Sequence, residues 1–338
     1  ANITNATIAS NYAATNGGLY RSTDAGASWE LVADQPIPDV KINPSSTSNL
    51  IIGSKPFQDS PVRYSTDSGS TWNDSNLTGR RAEIAFAKSA NVAYASIDLN
   101  SGEIWKSTNN GQTWTKRSNP KHLGSQGWYD NAIWVDPTNP NHLVIGGIDL
   151  HRSTDGGATW TKISIWWDPV SVHADHHAIV AAPGYNGTTN RTVFFGNDGG
   201  VYKAVDIAAV TQTTGWTDLN NGLAITQFYS GAGHDGTNGR IIGGTQDNGS
   251  LVYDGTGTSW TESFGGDGGF SAIDKSNGNY IFGEYVYLKI HRSTDGGKTT
   301  DYVTSGLGDA GANANFIAPF HIDPGNPNRM LAGGLSLW

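Results

Sequence analysis

The chain of 338 residues has no cysteine and a single methionine. Without Cys there is no disulfide scaffold, no thiolate metal site and no Cys nucleophile. Charge is also sparse, at 15% of residues, and the basic side is the thinner one: 21 Lys and Arg against 30 Asp and Glu leave a net charge of −9. That balance argues against nucleic acid or an anionic membrane surface as the main partner. No apolar run approaches the roughly 18 residues of a membrane span, so membrane insertion is not expected either. What the chain has instead is 44 Gly, 12 Trp and abundant Ser, Thr and Asn. This composition suits a secreted, extracellular β-protein, and the length is ample for a sizeable core.

A repeat decides the fold class. Five segments align without gaps: RSTDAGASW at Arg21–Trp29, YSTDSGSTW at Tyr64–Trp72, KSTNNGQTW at Lys106–Trp114, RSTDGGATW at Arg152–Trp160 and RSTDGGKTT at Arg292–Thr300. Their acidic or amide position falls at Asp24, Asp67, Asn109, Asp155 and Asp295, with gaps of 43, 42, 46 and 140 residues. The last gap is close to three repeats, and degenerate copies around Asp206–Trp216 and Asp254–Trp260 fill it. Seven repeats of about 45 residues are the mark of a radial array of small antiparallel sheets. The fourth repeat shows the grammar best, with strands expected at Asn131-AIWVDP, His142-LVIGG, Leu150-HRST and Thr159-WTKIS. No stretch has a helical period over 11 or more residues. The expected architecture is therefore all-β: one seven-bladed β-propeller over residues 1–338, with four-stranded antiparallel blades.

Within each motif the Asp should accept backbone N–H groups in a tight turn, the Gly should supply φ > 0, and the Trp should pack between blades. The pattern resembles the Asp-box, or bacterial neuraminidase repeat. Sialidases, the family-74 glycoside hydrolases that cut xyloglucan, and sortilin-type receptors carry it. The motif is structural, so the resemblance implies the fold across nearly the whole chain but not the function.

The first blade begins at its second strand, Asn11-YAAT, and Asn315-FIAPFHIDP supplies a strand that would close the ring with it. Met330-LAGGLSLW then reads as a further second strand. A longer natural protein with a second propeller is the expectation.

Strand order sorts the loops by face. Box turns lie on one face; inter-blade connections and the loops between second and third strands lie on the other. The unusual polar residues gather on that second face, in Gln126-GWYD, Trp166-WDPVSVHADHH, Asn197-DGG, Gln246-DNG and Gly265-GDGG. Loops converging on one mouth of a propeller are where ligands bind. In an extended strand His173, Asp175 and His177 would share one side and His176 the other. The trio could serve as a base with its orienting partner or as half of a metal site, or its histidines could simply line a wet channel. Asp198, Asp247 and Asp267 sit in Asp-Gly or Asp-Asn-Gly settings that turn formation alone could explain. Together with Asp175 they would form an acidic patch in which two carboxyls divide acid and base roles. These four are the candidate catalytic residues. His173, His176, His177, Trp128, Tyr129, Trp166, Trp167 and Gln246 are the candidate substrate contacts, the aromatic rings by stacking on sugar faces. No cofactor is implied, and the one ion the acidic turns could hold is a structural Ca²⁺.

Two functions lead, with a lyase using a His or Tyr base on acidic polysaccharide as a third option that the acidic balance speaks against. A sialidase is disfavoured: that family uses three arginines and an Arg-Ile-Pro motif, whereas Arg21, Arg63, Arg152 and Arg292 here occupy box positions and no Arg-Ile-Pro occurs. A hydrolase resembling family 74 fits better, acting on neutral β-glucan or xyloglucan-type polysaccharide. That family is implied to use an Asp pair with inversion, in a cleft between two propellers. Its catalytic motifs do not map onto this chain position by position, so the four Asp residues rest on the loop argument alone. The alternative is a non-catalytic extracellular propeller, sortilin-like or adhesive, whose acids form turns or hold Ca²⁺. Oligomeric state is not readable from the sequence.

Overall fold

Leu50, Ile51 and Ile52 are consecutive and completely buried. Side chains alternate across a strand, so such a run needs cover on both faces of its sheet. Leu50 and Ile52 join a core with Tyr12, Leu19 and Val40, while Ile51 joins another with Val62, Ile84 and Trp114. The fold is built on that pattern of sheets stacked on sheets.

The computed structural model describes residues 10–88, 91–223, 225–236 and 239–338. Every regular element among them is a β-strand, and none is a helix. The chain divides into two compact units, Ala1–Leu223 and Ala224–Trp338.

In the first unit, β1 (Asn11–Thr15), β2 (Gly18–Ser22) and β3 (Glu30–Ala33) form a three-stranded antiparallel sheet. Next come β4 (Val40–Ile42), β5 (Leu50–Ile52), β6 (Ser60–Ser65) and the 14-residue β7 (Asn73–Phe86). They are followed by β8 (Ala93–Asp98), β9 (Glu103–Ser107) and β10 (Thr115–Ser118). These seven strands make one continuous sheet, where two separate four-stranded blades were expected. The reason is local. No turn-forming pair interrupts residues 73–86, so β7 closes one repeat and opens the next, changing register between Arg80 and Ala82. Arg81 sits at that bulge with φ 27°. Two four-stranded sheets complete the unit: β11 (Ala132–Val135) to β14 (Thr161–Lys162) through β12 (Leu143–Gly146) and β13 (Leu150–Ser153), then β15 (His176–Ala181) to β18 (Trp216–Asp218) through β16 (Val193–Asn197) and β17 (Gly200–Ala204).

The second unit repeats the plan. One sheet holds β19 (Phe228–Gly233), β20 (Ile241–Thr245), β21 (Ser250–Tyr253) and β22 (Thr261–Phe264). The next holds β23 (Ser271–Ile273), β24 (Ile281–Glu284), β25 (Ile290–Ser293) and β26 (Asp301–Tyr302). Last, β27 (Phe320–Ile322) pairs with β28 (Met330–Ala332).

The core around Ile51, Val62 and Ile84 lies within the seven-stranded sheet, while the others draw on two consecutive sheets of their unit. Ala85 and Tyr94 meet Val135 and Leu143, then Trp134 and Val144 meet Val193 and Phe195. In the second unit Ile242 and Val252 meet Ile273 and Ile281, and Leu288 and Ile290 meet Ala318 and Phe320. Each fully buried Leu, Ile or Phe contributes about 1.5–3 kcal/mol relative to exposure.

The five repeated motifs are all hairpin turns, between β2 and β3, β6 and β7, β9 and β10, β13 and β14, and β25 and β26. In the second, the Asp67 carboxylate accepts the Thr71 N–H at 2.9 Å and the Thr71 hydroxyl at 2.7 Å, and Ser65 donates its hydroxyl at 2.7 Å. The same bonds recur at Asp24, Asp155 and Asp295, and in amide form at Asn109. The motif Gly has the expected positive φ (78° at Gly69), but so does the residue before it: Ala25, Ser68 and Asn110 each lie at 59°. Two successive left-handed residues make the turn tighter than its one obligatory Gly suggests. Trp72 and Trp160 pack back onto a core shared with the preceding sheet, and Trp114 packs onto the core within its own seven-stranded sheet. Trp29 does not and is 39% exposed, because no described strand precedes its sheet in the chain.

Hydrogen bonds from the turn hold the Asp24 and Asp67 carboxyls down at about 2, chiefly through Ser28 and Thr71. A folded-state value below the unfolded one stabilises the fold above the unfolded value, about 3.9, and that stabilisation is lost as pH falls through the folded value. Thermal melts should therefore lose stability between about pH 4 and pH 2. Asp67→Asn, which mimics the turn at Asn109 between β9 and β10, should flatten that limb in part; an unchanged acid limb would rule Asp67 out as one of its sources.

Candidate functional site

The bulge at Arg81 starts the site. Its backbone N–H reaches the Lys55 carbonyl at 2.8 Å, and its guanidinium is thereby turned onto the loop ahead of β11, donating to the carbonyls of Trp128 and Tyr129. Asn131, fully buried, fixes the other end of that loop by donating to the Arg81 and Ser96 carbonyls at 3.2 and 3.1 Å. Between these anchors stand Trp128, Tyr129 and Asp130.

Two further loops meet them within the first unit. Asp175, just ahead of β15, has φ 60°, a left-handed conformation unusual for a non-Gly residue. It accepts the Gln126 side-chain amide at 3.1 Å. Asp198, in the turn from β16 to β17, accepts the Tyr129 hydroxyl at 2.7 Å on one oxygen and His177 Nε2 at 2.7 Å on the other. The Tyr129 and His177 rings meet edge to face at 5.0 Å. Asn197 donates to the His173 carbonyl at 3.0 Å. A Cβ on Gly199 would lie 2.4 Å from that of His173, so the glycine lets the two loops touch.

The carboxyls differ sharply. Burial pushes Asp175 up, helped by the nearby Asp198 charge. Burial also acts on Asp198, but the bonds from His177 and Tyr129 outweigh it and hold that carboxyl below its usual range. Asp130 is fully buried; burial first, then the Asp175 carboxyl beside it, pushes it up to about 9.

Beside this cluster is an open cleft of about 720 Å³ lined by Phe57, Arg80, Asp98, Asn100, Ser101 and Trp128. Phe57 and Trp128 are 76% and 50% exposed with ring centroids 6.1 Å apart, and Trp128 in turn lies 5.5 Å from Tyr129. An aromatic path thus runs from the cleft to the donor on Asp198.

Most of the first-unit residues singled out from sequence meet here: Gln126, Trp128, Tyr129, His173, Asp175, His177 and Asp198. His176 does not qualify as a substrate contact. It is completely buried, and burial lowers its imidazole to about 3. The expected alternation over 173–177 does not apply, because β15 begins only at His176 and changes register between His176 and Ala178, so residues 173–175 are placed by the loop. Trp166 and Trp167 are exposed on the β14–β15 connection and stack on no ring among the described residues. Arg81, Asp130 and Phe57 were missed. Asp130 stood within Gln126-GWYD, but nothing local marks an acid as buried.

In the second unit, Asp247 (φ 60°) and Asp267 belong to adjoining turns, and the Asp267 carboxylate accepts the Asp247 backbone N–H at 3.0 Å. Gly268 donates to the Thr245 carbonyl at 2.8 Å, and a Cβ on it would lie 2.4 Å from the Gly249 carbonyl oxygen. Gln246 heads the same turn, its N–H donating to the Gln227 carbonyl at 3.0 Å. Turn formation accounts for Asp267 in this setting.

No protein-family profile matches the chain. A xyloglucanase from a Paenibacillus species is 24% identical over 193 residues, 45% of this chain and 19% of the relative. Xyloglucanase Xgh74A of Acetivibrio thermocellus is 26% identical over 155 residues, 36% of this chain and 18% of the relative. The chain spans about a fifth of the length of these curated relatives. Among solved structures, a GH74 enzyme from Niastella koreensis aligns with 96% of this chain and 58% of its own, at 19% identity and a TM-score of 0.49.

Proposed function

We propose that the chain is a secreted, glycan-active β-propeller built on Asp-box turns, and that it hydrolyses β-glucan of the xyloglucan type. The observation that carries the reading is the division of labour at one place. Asp175 is pushed toward its acid form and Asp198 held in its base form, beside an open cleft floored by Phe57 and Trp128. Two carboxyls whose surroundings drive them apart are what acid–base hydrolysis of a glycosidic bond requires. Asp175 would protonate the leaving oxygen and Asp198 would take the proton of the attacking water. The aromatic pair would stack on sugar rings, with Asn100, Ser101 and Asp98 accepting or donating to hydroxyls. Partial similarity to xyloglucanases supports the substrate class. Asp267 belongs in this scheme as a turn former.

The test is release of reducing ends from xyloglucan, neutral β-glucan, xylan and mannan. Release is expected on xyloglucan, with KM rising roughly 3–10-fold in Trp128→Ala, the size of one aromatic stacking contact. No release from any polymer by the folded protein would move the reading to a non-catalytic binding propeller. The two donors that already hold Asp198 would suit that alternative.

A further inference from the structure

We infer that Arg81 is the positioning residue of the cleft: its guanidinium caps the turn that carries Trp128 and Tyr129, and the backbone of β7 is held strained to aim it there. The turn is closed by backward-pointing N–H groups, Gln126 to the Leu123 carbonyl at 2.9 Å, then Tyr129 and Asp130 to the Gln126 carbonyl at 2.6 and 3.0 Å. As at the end of a helix, the carbonyls that leave such a turn carry partial negative charge and need donors. Those of Trp128 and Tyr129 both receive Nη1 of Arg81, the first at 2.8 Å. A cation is the donor that such carbonyls favour, and a planar guanidinium can serve them and a carboxylate together. Here the carboxylate is Glu83, whose Oε1 lies 3.3 Å from Arg81 Nε.

The backbone points the same way. Among the described residues, Arg81 is the one non-Gly residue inside a strand with a positive φ. Glycine enters that region freely, whereas a long side chain is strained there. Two bonds keep the conformation: the Arg81 N–H on the Lys55 carbonyl at 2.8 Å, and the Asn131 side chain on the Arg81 carbonyl at 3.2 Å. As the extra residue between the pairs Arg80–Asp98 and Ala82–Ile97, Arg81 escapes strand alternation and can face the loop. A glycine at 81 would take the same φ without strain, so what the arginine adds is its guanidinium. Arg80 does not stand in for it, since it turns to Asp59 at 3.6 Å. Trp128 lines the cleft and the Tyr129 hydroxyl meets Asp198 at 2.7 Å, so one guanidinium sets both the aromatic floor and the donor on that carboxylate.

The kinetic consequence rests on the hydrolase reading; the capping of the turn does not. Arg81→Gly keeps the backbone and removes the guanidinium. Hydrogen exchange of the full chain should then speed up at least about tenfold at the Gln126, Tyr129 and Asp130 amides, while β8 and β11 keep their protection. Where Arg81→Gly does not fold, Arg81→Gln is read in the same way. Wild-type exchange at these three amides in a folded variant overturns the cap, whether or not the protein is an enzyme. Faster exchange spread over β8 and β11 as well would make Arg81 a general structural residue and overturns its positioning role. If xyloglucan is cleaved, Arg81→Gly should raise KM about 3–10-fold, as Trp128→Ala does, and lower kcat besides. Arg81→Lys, which keeps the charge without the fork, should recover part of both. Wild-type KM and kcat with the turn loosened remove Arg81 from the positioning of the site and leave the hydrolase reading standing. Absence of cleavage by the wild type, with the exchange difference present, sinks the hydrolase reading and keeps the cap.

Discussion

Asp198→Ala is expected to slow xyloglucan cleavage by about 10²–10⁴-fold, the usual loss on removing a positioned general base. The fold should survive, because Asp198 sits in a two-residue turn whose backbone is set by Asn197 and Gly200 rather than by the carboxylate. Tyr129→Phe separates the charge from its surroundings. It deletes one of the two bonds that favour the ionised form, so the Asp198 carboxyl must rise. Because a base has to be deprotonated to act, the acidic limb of the rate profile should shift to higher pH, with the plateau rate falling far less than in Asp198→Ala. Trp128→Ala, by contrast, should act on KM. If Asp198→Ala keeps a third or more of the wild-type rate while remaining folded, Asp198 is not the base.

The motif spacing made the sheets legible because each turn is a local object. Ser, Asp, Gly and Thr within seven residues close their own hydrogen bonds, and so announce themselves wherever they fold. The four strands of the fourth repeat were readable for the same reason, each bounded by Asp-Pro, Gly-Gly or the turn motif. The merging of two expected blades through β7 was not, since continuity of a strand is decided by its neighbours on both sides. Among the site residues, polar loops on one face identified Asp175, Asp198, Tyr129 and His177 as a group. Their pairing could not be read, because the Tyr129 hydroxyl and Asp198 lie 69 residues apart and meet only through stacking of the sheets. Asp130 shows the limit most plainly. An acid beside Trp and Tyr reads as an exposed loop residue, and only the packed fold buries it against a second carboxyl.

Glu284 should prove the most costly single side chain to remove in the second unit. It ends β24, is fully buried, and holds three separate segments through their backbone N–H groups. Oε1 accepts Ala318 at 2.8 Å and Leu288 at 3.0 Å, and Oε2 accepts Phe270 at 3.3 Å. Glu284→Ala orphans two buried donors and the half-buried one of Phe270, at about 1–3 kcal/mol for each buried donor. The bonds share one acceptor group and are not additive, so a loss of about 3–5 kcal/mol is expected. Glu284→Gln keeps the oxygen facing Leu288 and Ala318 and should recover most of that loss. Its second signature is in pH. Burial outweighs the three N–H donors and pushes the folded carboxyl up from 4.5 to about 7. A raised acid binds its proton more tightly folded than unfolded, so its favourable contribution is complete below about 4.5 and disappears as pH rises to about 7, a change of about 3 kcal/mol. The amide cannot titrate. Denaturant melts of the full chain at pH 4.5, 6 and 8 should therefore show Glu284→Gln gaining on the wild type as pH rises; parallel curves for the two proteins would mean that Glu284 does not change its charge on folding.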